Sequence, residues 1–208
     1  MHYDFSDICS NFGSAEGFNN TFSPYFRMKK KAVFLDRDGV INEYNEGYVK
    51  NVGEFRFIEG ALEGMKVLHD AGFLLFIISN QAGVAKGRVR HEDLEGIGRH
   101  MEVELGKKGV EIKKTYYCTH SREENCNCRK PKTRFLLEAA EEFGISLQDS
   151  WVVGDNTSDI KMGKDAGCKT VLVKTGLGGR DGNFNVNADF VCEDLLEAAG
   201  RIVERSAD

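Results

Sequence analysis

The chain of 208 residues lacks several features that would define other classes of protein. It contains no run of about 18 apolar residues, so a membrane-spanning helix is not expected. It has no excess of basic residues, and its formal net charge of -5 argues against broad attraction to nucleic acid or to an anionic membrane surface. It also shows no internal repeat, low-complexity tract or domain linker. These absences leave a single globular domain with a full core, which we expect to be monomeric.

The first 27 residues differ from the rest of the chain because they are rich in aromatic residues and poor in charge. They lack the basic start and the continuous apolar stretch of a signal peptide. Met28 precedes three lysines and the first predicted strand, which makes Met28 an alternative start. We therefore predict a poorly ordered extension at 1–27 and one domain at 28–208.

Short apolar runs alternate with helical patterns along this domain. Runs that are apolar throughout are typical of parallel strands covered on both faces. The predicted strands are 32–35, 73–78, 115–118, 151–153 and 170–173. The predicted helices are approximately 61–70, 91–107, 133–143, 157–166 and 193–204. This alternation predicts an α/β fold: a three-layer, Rossmann-like open parallel sheet with helices on both faces. The insertions between these elements are too short for a cap domain, so the site should be open.

The six cysteines are not expected to form disulfides, because no secretion signal is present and a reduced, cytoplasmic protein is favoured. Cys118, His120, Cys126 and Cys128 have the pattern Cys-x-His-x5-Cys-x-Cys. Three thiolates and one imidazole form a closed tetrahedral set that is typical of structural zinc. The alternative is a group of reduced cysteines beside a chance histidine, but the tight spacing favours zinc. We predict that zinc orders the loop that precedes Arg129 and Lys130.

Acidic residues follow two of the predicted strands. Asp36 can attack a phosphorus atom, and Asp38 can protonate the leaving alkoxide and later deprotonate water. Asp155, with Asp159 one turn beyond, adds oxygen ligands that suit Mg²⁺. Lys130 can neutralise charge on the phosphoryl oxygens. A plain turn after a strand would also explain the Asp-x-Asp-Gly pattern. Because further polar motifs follow in order at other predicted strand ends, a catalytic site is favoured.

These segments resemble the haloacid dehalogenase superfamily of aspartate-nucleophile phosphatases, over residues 32 to about 192. Within it they are most similar to the phosphatases of heptose 1,7-bisphosphate and of histidinol phosphate. The matching segments are Phe34-Leu35-Asp36-Arg37-Asp38-Gly39-Val40-Ile41-Asn42, Gly47-Tyr48-Val49, Ser79-Asn80-Gln81-Ala82-Gly83, Cys126-Asn127-Cys128-Arg129-Lys130-Pro131 and Val153-Gly154-Asp155.

The resemblance implies roles for individual residues. Asp36 would be the nucleophile and Asp38 the acid/base. Mg²⁺ would be held by Asp36, the main chain of Asp38 and Asp155. Ser79 and Lys130 would hold the phosphoryl group, and Arg129 would contact the substrate. Further candidates for phosphoryl or substrate contacts are Arg37, Asn45, Glu46, Gly47, Tyr48, Asn80, Gln81, Ala82 and Asn156.

The substrate is the part of the prediction with open alternatives. Lys86 and Arg88 offer charge for a second phosphate and favour a small sugar bisphosphate, the heptose 1,7-bisphosphate, cleaved at its 7-phosphate through an aspartyl-phosphate. The short gap between His120 and Cys126 is similar to that of the histidinol-phosphate phosphatases, the alternative. Asn156 stands where the heptose enzymes often have Lys or Arg. A polynucleotide 3′-phosphatase is disfavoured by the net charge, and a zinc-stabilised binding protein by the retained acidic residues.

Overall fold

The computed structural model describes residues 29–206. The predicted extension at 1–27 and the alternative start at Met28 therefore lie outside the described residues. Among the described helices, none combines the length and the apolar character needed to cross a membrane.

Six parallel strands form one sheet in the order β3-β2-β1-β4-β5-β6. The strands are β1 (Ala32–Leu35), β2 (Leu74–Asn80), β3 (Ile112–Cys118), β4 (Trp151–Gly154), β5 (Lys169–Val173) and β6 (Phe190–Cys192). The helices are α1 (Ala61–Asp70), α2 (His91–Lys107), α3 (Arg134–Phe143), α4 (Thr157–Asp165) and α5 (Leu195–Glu204). The strand order reverses at β1, which lies between β2 and β4. In open α/β sheets ligands bind outside the carboxyl ends of the strands at such a switch point.

The helices cover both faces of the sheet, because successive strand residues point to opposite sides. Leu35 and Val153 belong to one buried cluster, and their neighbours Phe34 and Val152 belong to the other. The first cluster contains buried residues of α1, α2 and α5, and the second contains those of α3 and α4. The fold is therefore the predicted three-layer sandwich.

Local chemistry fixes where α4 begins, at the edge of the site. The Asn156 side chain caps the first turn, and the Asp159 carboxylate accepts a hydrogen bond from the Asn156 N–H at 3.1 Å. This reciprocal capping satisfies N–H groups that would otherwise lack partners. The first turn of α4 is thereby held directly after Asp155.

The predicted fold class is confirmed, and the differences lie at the two edges of the sheet. The edge strand β3 begins at Ile112, three residues before the predicted start. The other edge strand, β6, has three residues and was not predicted. Within residues 29–206, the insertions that face the carboxyl edge are loops at 36–60, 81–90, 119–133 and 174–189, and none contains a named helix or strand. No cap domain covers the sheet in this part of the chain.

We predict that Gly163→Ala destabilises the fold by about 1–3 kcal/mol, the usual cost of overpacking. A Cβ at position 163 would lie 2.6 Å from Thr170 Cγ2 and 3.0 Å from Val152 Cβ, where α4 packs on the sheet. Gly200→Ala is the matched control, because position 200 is also helical but has nothing within 4 Å. It should stabilise α5 by about 0.5–1 kcal/mol. Urea unfolding measures both changes, and equal effects would contradict the prediction.

Candidate active site

Three carboxylates meet at the switch point of the sheet. Asp36 follows β1, Asp155 follows β4, and Asp159 lies in the first turn of α4. All three are buried, and one oxygen of each lies within 4.8 Å of the others. The fold thus concentrates negative charge where the strand ends meet.

Burial and the charges of neighbouring carboxylates raise the pKa values of Asp155 and Asp159. The pKa of Asp155 is raised to about 8, first by burial and then by the charges of Asp36 and Asp159. The pKa of Asp159 is raised to about 7, again first by burial. A bound cation would offset this repulsion, and an all-oxygen donor set fits Mg²⁺. The structure brings Asp159 together with Asp36 and Asp155 as a third candidate metal ligand. The sequence resemblance had instead implied the main chain of Asp38.

Lys130 supplies the positive charge that the structure itself places in this cluster. Its Nζ lies 2.9 Å from Asp36 Oδ1 and 2.7 Å from Asp159 Oδ1, and it donates to the Ile78 carbonyl at 2.9 Å. Burial alone would lower the pKa of Lys130, but the charges of Asp159 and Asp36 outweigh burial and raise it. The ammonium is therefore held charged in a buried position.

The side chain of Asn80 fixes the backbone of Lys130. Asn80 Oδ1 accepts from the Lys130 N–H at 3.1 Å, and Asn80 Nδ2 donates to the Lys130 carbonyl at 3.4 Å. Because Asn80 ends β2, the loop that carries Lys130 is tied directly to the sheet.

Asp38 lies at the edge of the same cavity, in a network of donors. Its carboxylate accepts from Arg37 at 2.9 Å, from Asn42 at 2.9 Å and from Gln81 at 2.7 Å. Burial would raise the pKa of Asp38, but Arg37 and these hydrogen bonds lower it. Gln81 also donates to Ser79 Oγ at 2.9 Å, so it links the two predicted functional residues.

Most of the predicted substrate residues line one cavity of about 260 Å³. Those that line it are Asp36, Asp38, Asn45, Glu46, Tyr48, Ser79, Asn80, Arg129, Lys130 and Asn156. Arg37 is elsewhere: its side chain is 0% exposed and lies behind the cavity, against Asp38 and Gln81. Gln81 is likewise buried, Ala82 lines a neighbouring hollow, and Gly47 lines neither. Arg37 is thus placed to orient Asp38 and not to contact the substrate.

The 45–48 segment forms one wall of the cavity. Gly47 N–H donates to Asn45 Oδ1 at 2.8 Å. Tyr48 has a positive φ of 69°, a backbone conformation that residues other than glycine rarely adopt. Lys86 Nζ donates to the Tyr48 hydroxyl at 3.1 Å. Lys86 and Arg88 also lie over the Tyr48 ring, so the wall carries two cations.

The four predicted zinc ligands converge at the end of β3. The Sγ atoms of Cys118, Cys126 and Cys128 lie 3.5–3.6 Å apart. His120 Nδ1 lies 3.8 Å from Cys118 Sγ and 3.4 Å from Cys128 Sγ. A disulfide would require about 2.05 Å, whereas ligands 2.3 Å from a tetrahedral zinc would have sulfurs about 3.8 Å apart. The four donors therefore have the spacing of a tetrahedral metal site.

The loop after β5 contains residues that were missed in the sequence. Leu177 N–H donates to Asp155 Oδ2 at 2.7 Å. Asp181 accepts from the N–H and hydroxyl of Thr157, at 2.8 and 2.7 Å, and lines the cavity. Arg122, between two of the predicted zinc ligands, also lines the cavity. The glycine-rich sequence of segment 176–182 could have indicated a functional loop. No sequence pattern pointed to Arg122.

Comparisons with known proteins agree with this fold and site. A family profile described as HAD-hydrolase-like matches residues 127–198. A D-glycero-beta-D-manno-heptose-1,7-bisphosphate 7-phosphatase from Pasteurella multocida is 41% identical over 154 residues, which span 71% of this chain and 83% of the relative. A D-glycero-alpha-D-manno-heptose-1,7-bisphosphate 7-phosphatase from Campylobacter jejuni is 40% identical over 146 residues, spanning 70% and 83%.

A solved structure has the same fold over most of this chain. The D,D-heptose 1,7-bisphosphate phosphatase of B. bronchiseptica, complexed with magnesium and phosphate, is 30% identical to this chain with a TM-score of 0.78. The match covers 84% of this chain and 99% of that chain. The fold and the clustered aspartates define a phosphatase of the haloacid dehalogenase class. Within that superfamily, the chain belongs to the family of the heptose-1,7-bisphosphate 7-phosphatases.

We predict that Gly176→Ala lowers phosphatase activity severely, because a Cβ there would lie 2.3 Å from Asp155 Oδ2 and 2.7 Å from Gly39 Cα. Gly182→Ala is the matched control: it has a similar positive φ in the same loop but nothing within 4 Å. Both variants carry the same backbone strain, so only the first should displace Asp155. Phosphate release, measured beside the unfolding temperature, tests this difference, and comparable activities would contradict it.

Proposed function

We propose that this protein removes the 7-phosphate of a D-glycero-D-manno-heptose 1,7-bisphosphate. The observation that carries the proposal is the buried cluster of Asp36, Asp155 and Asp159 with Lys130 inserted between two of the carboxylates. The activity for which the relatives from Pasteurella multocida and Campylobacter jejuni are named supports the substrate. Histidinol phosphate is the alternative substrate; it carries its own ammonium, whereas Arg129, Lys130 and Arg122 already bring positive charge to the cavity.

The proposed reaction has two displacements at phosphorus. An Asp36 oxygen attacks the 7-phosphate, and the bond between phosphorus and the sugar oxygen breaks as Asp38 donates a proton to that oxygen. Water then attacks the aspartyl-phosphate, gives its proton to Asp38 and releases inorganic phosphate with Asp36 restored. An anionic substrate beside Asp38 raises its pKa and thereby favours the protonated form that the first step needs.

The remaining residues bind and orient the phosphoryl group. Lys130 neutralises charge on its oxygens, and Ser79 offers a hydroxyl at the end of β2. Mg²⁺, when held by Asp36, Asp155 and the main chain of Asp38, would offset repulsion between carboxylate and phosphate. Arg37 and Gln81 hold Asp38 in place from behind.

We predict that Asp36→Asn abolishes turnover, because a neutral amide cannot form the acyl-phosphate. Asp38→Asn should lower kcat by about 10²–10⁴, the usual contribution of proton transfer. Asp70→Asn is the matched control and should leave turnover unchanged, because Asp70 is an exposed carboxylate at the end of α1. The assay measures phosphate from heptose 1,7-bisphosphate and from histidinol phosphate, and NMR identifies which phosphate is lost. Turnover by pure Asp36→Asn would exclude the covalent mechanism, and a higher kcat/KM for histidinol phosphate would overturn the substrate.

We also propose that Cys118, His120, Cys126 and Cys128 hold a structural zinc ion. The donor types and the spacing of the four ligand atoms support zinc, and all four positions are filled by protein atoms, so no position is left for substrate. Lys130 follows Cys128 by two residues, so the metal would hold the loop that carries the ammonium. The five cysteines among the described residues are all free of disulfides, which supports a reducing compartment such as the cytoplasm.

We predict one zinc per chain and loss of that zinc in Cys126→Ser. Activity should fall at the same time, because Arg129 and Lys130 lose their fixed position although no reacting atom has changed. Cys168→Ala is the matched control, because Cys168 is buried away from the cluster. This variant should retain the full zinc content. Elemental analysis of protein purified without chelator measures the metal. Zinc-free wild-type protein with full activity would contradict this proposal.

A further inference from the structure

A second hollow adjoins the cavity that contains Asp36. It has a volume of about 330 Å³. Its lining residues are Tyr48, Asn80, Ala82, Lys86, Arg122, Glu123 and Arg129. Tyr48, Asn80, Arg122 and Arg129 line the first cavity as well, so the two spaces share a wall. A substrate with its reacting end at Asp36 can therefore extend its far end into the second hollow.

The second hollow is positively charged. Among residues 29–206, no carboxylate lies within ion-pair distance of Lys86, Arg122 or Arg129. This sets the three apart from Lys130, whose charge is already matched by two aspartates. Glu123 is the one acidic residue in the lining, so the cations outnumber it. An anion is the ligand that this charge balance favours.

Arg122 has a fixed backbone and an uncommitted guanidinium. It lies between His120 and Cys126, and its carbonyl accepts from the Asn125 N–H at 3.2 Å. Lys132 Nζ closes the same turn by donating to the Asn125 side chain at 3.1 Å. The guanidinium itself is exposed, and its one hydrogen bond among the described residues is to Asn183 Oδ1 at 3.4 Å. A fixed backbone combined with an available planar guanidinium suits bidentate hydrogen bonding to a phosphate.

We propose that Arg122, with Lys86, binds the second phosphate of the sugar bisphosphate. This inference rests on the proposed function and adds the residues that distinguish a bisphosphate from a monophosphate. Lys86 approaches from the side of the Tyr48 wall, to whose hydroxyl it donates, and Arg122 approaches from the metal-bound loop. The neutral side chain of Asn156 contributes no charge to the cavity, so the far phosphate depends on cations that these two loops supply.

The test compares heptose 1,7-bisphosphate with the 7-monophosphate of the same sugar, which lacks the second phosphate. In Arg122→Ala and Arg122→Gln, we expect KM for the bisphosphate to rise by about tenfold or more, with kcat within about threefold. KM for the monophosphate should rise much less, because that substrate has no group for the second hollow to bind. Lys86→Ala should act in the same direction. Arg99→Ala removes the same charge from the exposed face of α2, away from both hollows, and should leave KM and kcat for both substrates unchanged.

Each outcome has a definite meaning. Equal losses on both substrates, or no change on either, would overturn the role of Arg122. Failure of the wild-type protein to hydrolyse the bisphosphate would overturn the proposed function itself, and the inference with it. Zinc content shows whether each variant keeps its loop intact. If Arg122→Ala loses zinc, Arg122→Lys decides, because it keeps the charge: a KM for the bisphosphate close to the wild-type value supports the proposal, and a KM as high as that of Arg122→Gln opposes it.

Discussion

The ion pairs that the buried ammonium of Lys130 makes with Asp36 and Asp159 are the interactions on which the rest of the site depends. Asp36, Asp155 and Asp159 lie within reach of one another in a region with little solvent, where unpaired charges would cost several kcal/mol each. Lys130 matches two of them and donates its third hydrogen bond to the Ile78 carbonyl. Burial, and after it the neighbouring carboxylate charges, still raise the pKa values of Asp155 and Asp159. A bound divalent ion would offset this repulsion, which is why we expect a metal requirement at a carboxylate cluster of this kind.

The position of Lys130 in turn depends on two anchors of different chemistry. Asn80 ties its backbone to the end of β2 through two hydrogen bonds. The Cys/His cluster ends at Cys128, two residues earlier, and fixes the approach of the loop. This loop is polar, and most of its residues between the ligands are exposed, so hydrophobic packing cannot order it. The proposed zinc would replace a core that the loop lacks. It would then act on the reacting atoms from a distance, through a short stretch of chain.

The sequence predicted the centre of the sheet and the convergence of the carboxylates better than their surroundings, for physical reasons. Strands β1, β2, β4 and β5 are buried on both faces, so each is a continuous apolar run. Edge strand β6 is short and half covered, and it has no such run. Asp36 and Asp155 were predictable because strand ends in a parallel sheet converge. The burial of Arg37 was not predictable from the sequence, because it depends on a hydrogen bond to Gln81, a residue that follows another strand.

Within residues 29–206, the centre of the site and its walls belong to different kinds of element. The clustered carboxylates lie at strand ends and in the first turn of α4, where the sheet fixes them. The walls are three loops: 45–48, the Cys/His loop and the loop after β5. Under our proposal, a substitution at an exposed wall residue such as Arg122 would alter which far end a substrate can carry, because Arg122 makes none of the contacts of Lys130. Arg122 illustrates this separation, because it lines both cavities and contacts none of the three clustered aspartates. Substrate choice can thus vary in this fold while the phosphoryl-transfer chemistry stays the same.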